Sequence, residues 1–81
     1  MHSTQNKLIE IFKNTFIELK EKSDEWIIAS TRGEIISWDS ASHFILITCI
    51  EEEFSITVSD ELIVSMNSFL DAYRIVEEIK N

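Results

Sequence analysis

The chain has no proline and one glycine, Gly33, so nothing in it marks an internal linker, and 81 residues leave no room for a second domain. One domain over residues 1–81 is expected. The single cysteine, Cys49, has no partner for an internal disulfide. It sits in an apolar run, where a small buried hydrophobe is the expected role, and this usage fits a reducing compartment. The apolar runs are short and interrupted, and Met1-His2-Ser3-Thr4-Gln5 lacks the charged and apolar regions of a signal peptide. A cytoplasmic protein that does not insert into membranes is expected. His2 and His43, without a cysteine pair, give no metal-ligand spacing.

Cations are missing from the middle of the chain. Residues 1–30 are nearly balanced, with Lys7, Lys13, Lys20 and Lys22 against Glu10, Glu18, Glu21, Asp24 and Glu25. Between Gly33 and Tyr73 there is no lysine or arginine, while Glu34, Asp39, Glu51, Glu52, Glu53, Asp60, Glu61 and Asp71 accumulate. The formal net charge is −8. Such a surface repels nucleic acid and anionic membranes and attracts basic patches on other proteins in a salt-sensitive way.

What is present is helical periodicity. Leu8, Phe12, Phe16 and Leu19 recur at helical spacing, with Ser3 or Thr4 as a cap, and predict a first helix over about residues 4–21. From Lys22 to Ser37 the pattern breaks into a long loop. Asp24 is placed to cap a short helical turn there, and Trp26, Ile27, Ile28, Ile35 and Ile36 are expected to pin the loop onto the core. In a second helix from about residue 39, Leu46, Ile47, Ile50 and Phe54 share one face with His43 beside them, Phe44 and Ile45 point away from that stripe, and Glu51 and Glu52 point outward. Ser59 caps a short third helix in which Leu62, Ile63 and Met66 close over the core. A fourth helix starts at Asn67 or Ser68, with Asp71 completing a capping box and a stripe of Phe69, Ala72, Tyr73, Val76 and Ile79. The fold class expected is all-α, a small four-helix bundle with a long first loop and a short third helix.

Trp38-Asp39-Ser40 stands where loop becomes helix. A serine hydroxyl in the first helical turn lies near unpaired N–H groups and the positive end of the macrodipole, a favourable place for a phosphate. From Trp38 onward the chain resembles the acyl carrier protein family, in which an Asp-Ser pair opens the second helix. The order continues with a helix ending in Glu51-Glu52-Glu53-Phe54, an extended link Ser55-Ile56-Thr57-Val58, then Ser59-Asp60-Glu61, and a last helix introduced by Asn67-Ser68-Phe69. The likeness is close over about half the chain; the first thirty-odd residues share only length and helical pattern.

This resemblance implies a carrier-type bundle in which Ser40 bears 4'-phosphopantetheine, moved from coenzyme A by a phosphopantetheinyl transferase that Asp39 helps to recognise. Acyl intermediates of fatty acid or polyketide type then ride as thioesters on the arm. The resemblance also implies an acyl cleft lined by Phe44, Ile47, Leu62 and Ile63. Its docking surface for acyl-activating ligases or synthases with basic patches comprises Ile45, Glu51, Glu52, Asp60 and Glu61. A monomer is expected. Two departures from the family pattern are visible: Ala41 replaces the usual leucine after the serine, and Ser42 and Ile45 occupy positions that are often acidic. They suggest a specialised, free-standing carrier with a more apolar approach to the arm.

Two other classes compete. An aminoacyl or peptidyl carrier is disfavoured by the absence of a Gly-Gly pair before the serine. A non-covalent acidic binding module of the same fold is disfavoured by the intact Asp39-Ser40. An enzyme is not expected: Asp39, Ser40 and His43 are near neighbours on one helix, which rarely supplies a separately oriented base together with an oxyanion site.

Overall fold

Each of five helices begins at a serine or aspartate whose side chain accepts from the amide three residues on, which removes one of the unpaired donors at a helix start. The computed structural model describes residues 3–80; Met1, His2 and Asn81 lie outside the described residues. Ser3 caps α1 (Thr4–Thr15), Ser23 caps α2 (Asp24–Ile28), and Asp39 caps α3 (Ser40–Phe54). Ser59 caps α4 (Asp60–Ser65), and Ser68 accepts from Asp71 N at 3.0 Å to start α5 (Phe69–Lys80). Short 3-10 turns occupy Ile17–Glu21 and Arg32–Glu34. The architecture is a small all-α bundle, and no described helix is long and apolar enough to cross a membrane.

α1 is the central element: it packs against α2, α3 and α5, and α5 closes against α2 and α3. Phe12 is fully buried and sits edge-on to Phe69 at 5.0 Å, Trp38 at 5.5 Å and Phe16 at 5.7 Å. Leu8, Leu46, Ile50 and Val76 complete this core without exposure. Removing such side chains from water stabilises by about 1.5–3 kcal/mol each, before chain entropy is counted against it.

The loop between α1 and α3 is held by backbone as well as by side chains. Arg32 N donates to Asn67 O at 2.8 Å and Phe69 N to Ser30 O at 3.2 Å, around an isolated bridge between Thr31 and Ser68. Ile27 and Ile35 are buried and Trp26 and Ile28 are half-buried against the core, as expected of pinning residues, and Trp38 is buried as well. Ile36 departs from that expectation and is 91% exposed. Its amide and that of Ser37 instead donate to the Glu18 carboxylate at 3.0 and 3.1 Å.

Five further details differ from the sequence reading. The first helix does not run to residue 21: Phe16 leaves helical geometry at φ −115°, ψ 102°, and the chain resumes as a 3-10 turn that still buries Leu19. The described residues form five helices rather than four, because the loop contains α2, whose cap is Ser23 and not Asp24. Cys49 is half-buried. Ile75 belongs to the buried face of α5, whereas Tyr73 and Ile79 are half-buried. Phe54 is also half-buried, its ring flanked by Lys7 at 5.8 Å and Lys80 at 5.7 Å.

Candidate functional site

Ser40 is the first residue of the fifteen-residue α3 and is exposed. Among the described residues, no hydrogen bond involves its hydroxyl. Asp39 and Ser42 beside it, in contrast, bond to each other. Asp39 Oδ1 accepts from Ser42 N at 2.9 Å, and Asp39 N donates to Ser42 Oγ at 2.9 Å, a reciprocal capping box. Ser42 Oγ has one proton to give and lies 2.6 Å from Ser37 O, its best acceptor, with Asp39 Oδ1 at 3.0 Å competing. The Asp39 carboxyl is held below its ordinary range, first by the Ser42 amide and then by the Ser42 hydroxyl. Both contacts fall on Oδ1, so among the described residues Oδ2 carries no hydrogen bond. The serine is thus presented by a capping box that closes without it.

Arg32 Nε donates to Trp38 O at 3.3 Å, bracing the turn from the loop side. From the other side, the Trp38 indole N–H donates to His43 Nδ1 at 2.8 Å, and His43 Nε2 lies 2.7 Å from Ile63 O. His43 is 6% exposed. Both of its ring nitrogens are occupied by groups other than Ser40, so it is not placed to act as the serine's base. Residue spacing gave no hint of this chain, because His43 and Ile63 are twenty positions apart and belong to different helices.

The expected cleft residues separate by burial. Ile47 is 3% exposed and Leu62 and Ile63 are half-buried, while Phe44 is 62% exposed. The contact from His43 to Ile63 brings α3 and α4 together one turn before Ile47. Phe44 lies with Ile45, which is 56% exposed, on an outward stripe of α3 that continues through Thr48 to Glu52. A surface hollow of about 510 Å³ lies elsewhere, along α1 between Lys7, Lys13, Asp24 and Glu53.

The acidic triplet also divides. Glu51 does not project freely, as the sequence reading had it: it is half-buried and its carboxylate accepts from Val58 N at 2.8 Å. Glu53 faces Lys7 at 3.8 Å. Glu52 is exposed with no ion pair among the described residues, and so are Asp60 and Glu61 in the first turn of α4. The exposed surface of α3 therefore carries an apolar pair one turn after Ser40 and an unpaired carboxylate, Glu52, twelve residues along the helix, and α4 adds two more in its first turn. Compared with protein-family models, curated proteins and solved structures, the chain matches none.

Proposed function

We propose that the chain is a carrier protein that bears 4'-phosphopantetheine on Ser40 and presents acyl groups to partner enzymes as thioesters. The observation that carries this reading is the Ser40 hydroxyl itself, exposed and unbonded at the first position of a long helix whose cap is closed by Asp39 and Ser42 without it. A phosphodiester formed on that oxygen lies at the positive end of α3, where backbone amides favour an anion. Asp39 Oδ2 remains free to meet the metal and loading machinery of a transferase.

The arm supplies a thiol, whose thiolate forms the thioester. The chain supplies the attachment point, apolar side chains near it and an acidic approach. Phe44 and Ile45 offer contact area to a partner, and Glu52, Asp60 and Glu61 speed its encounter if it is basic. Acyl cargo follows from the family resemblance, and aminoacyl cargo is the alternative within it.

The test is an intact mass after incubation with coenzyme A and a broad-specificity phosphopantetheinyl transferase, with Ser40→Ala and Asp39→Asn alongside. A gain of one phosphopantetheine on the native chain, absent from Ser40→Ala and slowed in Asp39→Asn, supports the carrier. No gain on folded protein with several transferases removes the covalent reading and leaves an acidic binding module.

A further inference from the structure

α4 is the least anchored of the five helices. It packs closely against none of the others, and none of its six residues is fully buried. Firm attachment lies just outside it. On one side Val58 is buried and its amide is held by Glu51; on the other Met66 is fully buried. Between these anchors, among the described residues, a single hydrogen bond reaches α4 from another helix, from His43 to Ile63 O at 2.7 Å.

The direction of that bond is fixed by chemistry. Trp38 Nε1 can only donate, so His43 Nδ1 must accept, and the proton of the neutral ring is on Nε2, pointing at Ile63 O. Ile63 O is one of the unpaired carbonyls at the end of a short helix; its other donor is Met66 N at a long 3.4 Å. Loss of the imidazole contact leaves that carbonyl nearly unsatisfied and α4 held by half-buried side chains and, at its last turn, by the Asn67 side-chain amide, which donates to Ser65 O at 3.2 Å and Val64 O at 3.5 Å. Segments with few buried contacts and little internal bonding open locally, well below the cost of global unfolding.

We propose that His43 is the latch of a strap formed by residues 59–65, which opens as one unit between its anchors at Val58 and Met66 and uncovers α3 around His43 and Ile47. The same imidazole accepts from Trp38, two residues before Ser40. The strap and the serine turn are therefore coupled through one side chain. The latch stands on this geometry and does not depend on what Ser40 carries.

Amide hydrogen exchange of the full chain tests it, in the native protein and in His43→Phe and His43→Gln. In the native protein the α4 amides should exchange by local opening, faster than those of Phe12 in α1 and Leu46 in α3. His43→Phe, which cannot donate to Ile63 O, should speed α4 exchange by roughly a further tenfold relative to α1, the scale of one hydrogen bond. His43→Gln, whose amide can reach the same carbonyl, should recover most of that protection. A uniform change across α1, α3 and α4, or no selective change in α4, overturns the proposal. So does native α4 exchange that occurs only with global unfolding, whether or not the Phe variant folds.

Discussion

The Trp38 indole nitrogen and His43 Nδ1 lie 2.8 Å apart, with the two rings inclined at 26° and their centroids 5.9 Å apart. Both residues are buried, so neither polar atom has water as a substitute partner. Trp38→Phe keeps a ring against Phe12 and Phe16 but removes the donor. It should cost about 1–3 kcal/mol, the penalty of stranding a buried acceptor, together with some lost packing. A denaturant titration with unchanged slope and a lower midpoint checks this. Adding His43→Phe removes the stranded acceptor, so the double variant should lose less than the sum of the two singles.

Glu18, at the start of the 3-10 turn after α1, ties that turn to the loop by accepting from Ile36 N at 3.0 Å and Ser37 N at 3.1 Å. Its carboxyl is held below the ordinary value of 4.5, first through the Ser37 hydroxyl and then through the two amides, with Lys22 a smaller influence. The amides are the firmer cause, because Ser37 Oγ meets hydrogen-bond geometry with no partner. A carboxyl lowered by folding contributes stability that is present above its unfolded value and lost as pH falls through its folded one. The urea midpoint of the native chain should therefore exceed that of Glu18→Gln at pH 7, and the gap should close in acid below the ordinary carboxylate range. A gap that widens on acidification contradicts this account.

Much of the bundle was legible because it rests on local rules. Serine at a helix start and apolar residues at a 3.6-residue period placed α3, α4 and α5, and the core face of α3 through Leu46, Ile47 and Ile50. What escaped depended on long-range geometry. Phe16 breaks α1 while keeping its own ring and Leu19 in the core, so the apolar spacing reads as one continuous helix. Glu51 looks like any other member of an acidic run, and only the return of the chain at Val58 turns its carboxylate inward. At the candidate site, Asp39 and Ser40 were visible as a pair, but the bonds from Trp38 through His43 to Ile63 cross two helices and leave no periodic trace.

Ser55 ends α3 in the left-handed region, at φ 54°, ψ 48°, and is the one described non-glycine residue with positive φ. Its amide and that of Ile56 both donate to Glu51 O, the hydrogen bonding that such a helix end requires. A side chain there costs about 1–2 kcal/mol relative to the right-handed region, which glycine avoids at some expense in unfolded-chain entropy. Ser55→Gly should raise stability by up to about 1 kcal/mol, read as a higher melting temperature. Ser55→Val, branched at Cβ, should lower it.

Phe44, Ile45 and Leu46 are consecutive on α3 and face different environments. Phe44 is 62% and Ile45 56% exposed, whereas Leu46 is fully buried. Leu46→Ala should cost about 2–5 kcal/mol, from lost transfer energy and the cavity left among well-packed neighbours. Phe44→Ala and Ile45→Ala should each stay within about 0.5 kcal/mol of the native chain, as surface changes do. Equilibrium denaturation of the three variants measures the contrast. If the exposed pair serves to meet a partner, Phe44→Ala and Ile45→Ala should also slow loading of Ser40 by a transferase while leaving the melting curve in place. A large stability loss in either would instead assign that side chain to the core and remove it from the docking surface. Normal loading by both would leave the exposed apolar pair without a part in recognition at the serine and confine the approach to the carboxylates of Glu52, Asp60 and Glu61.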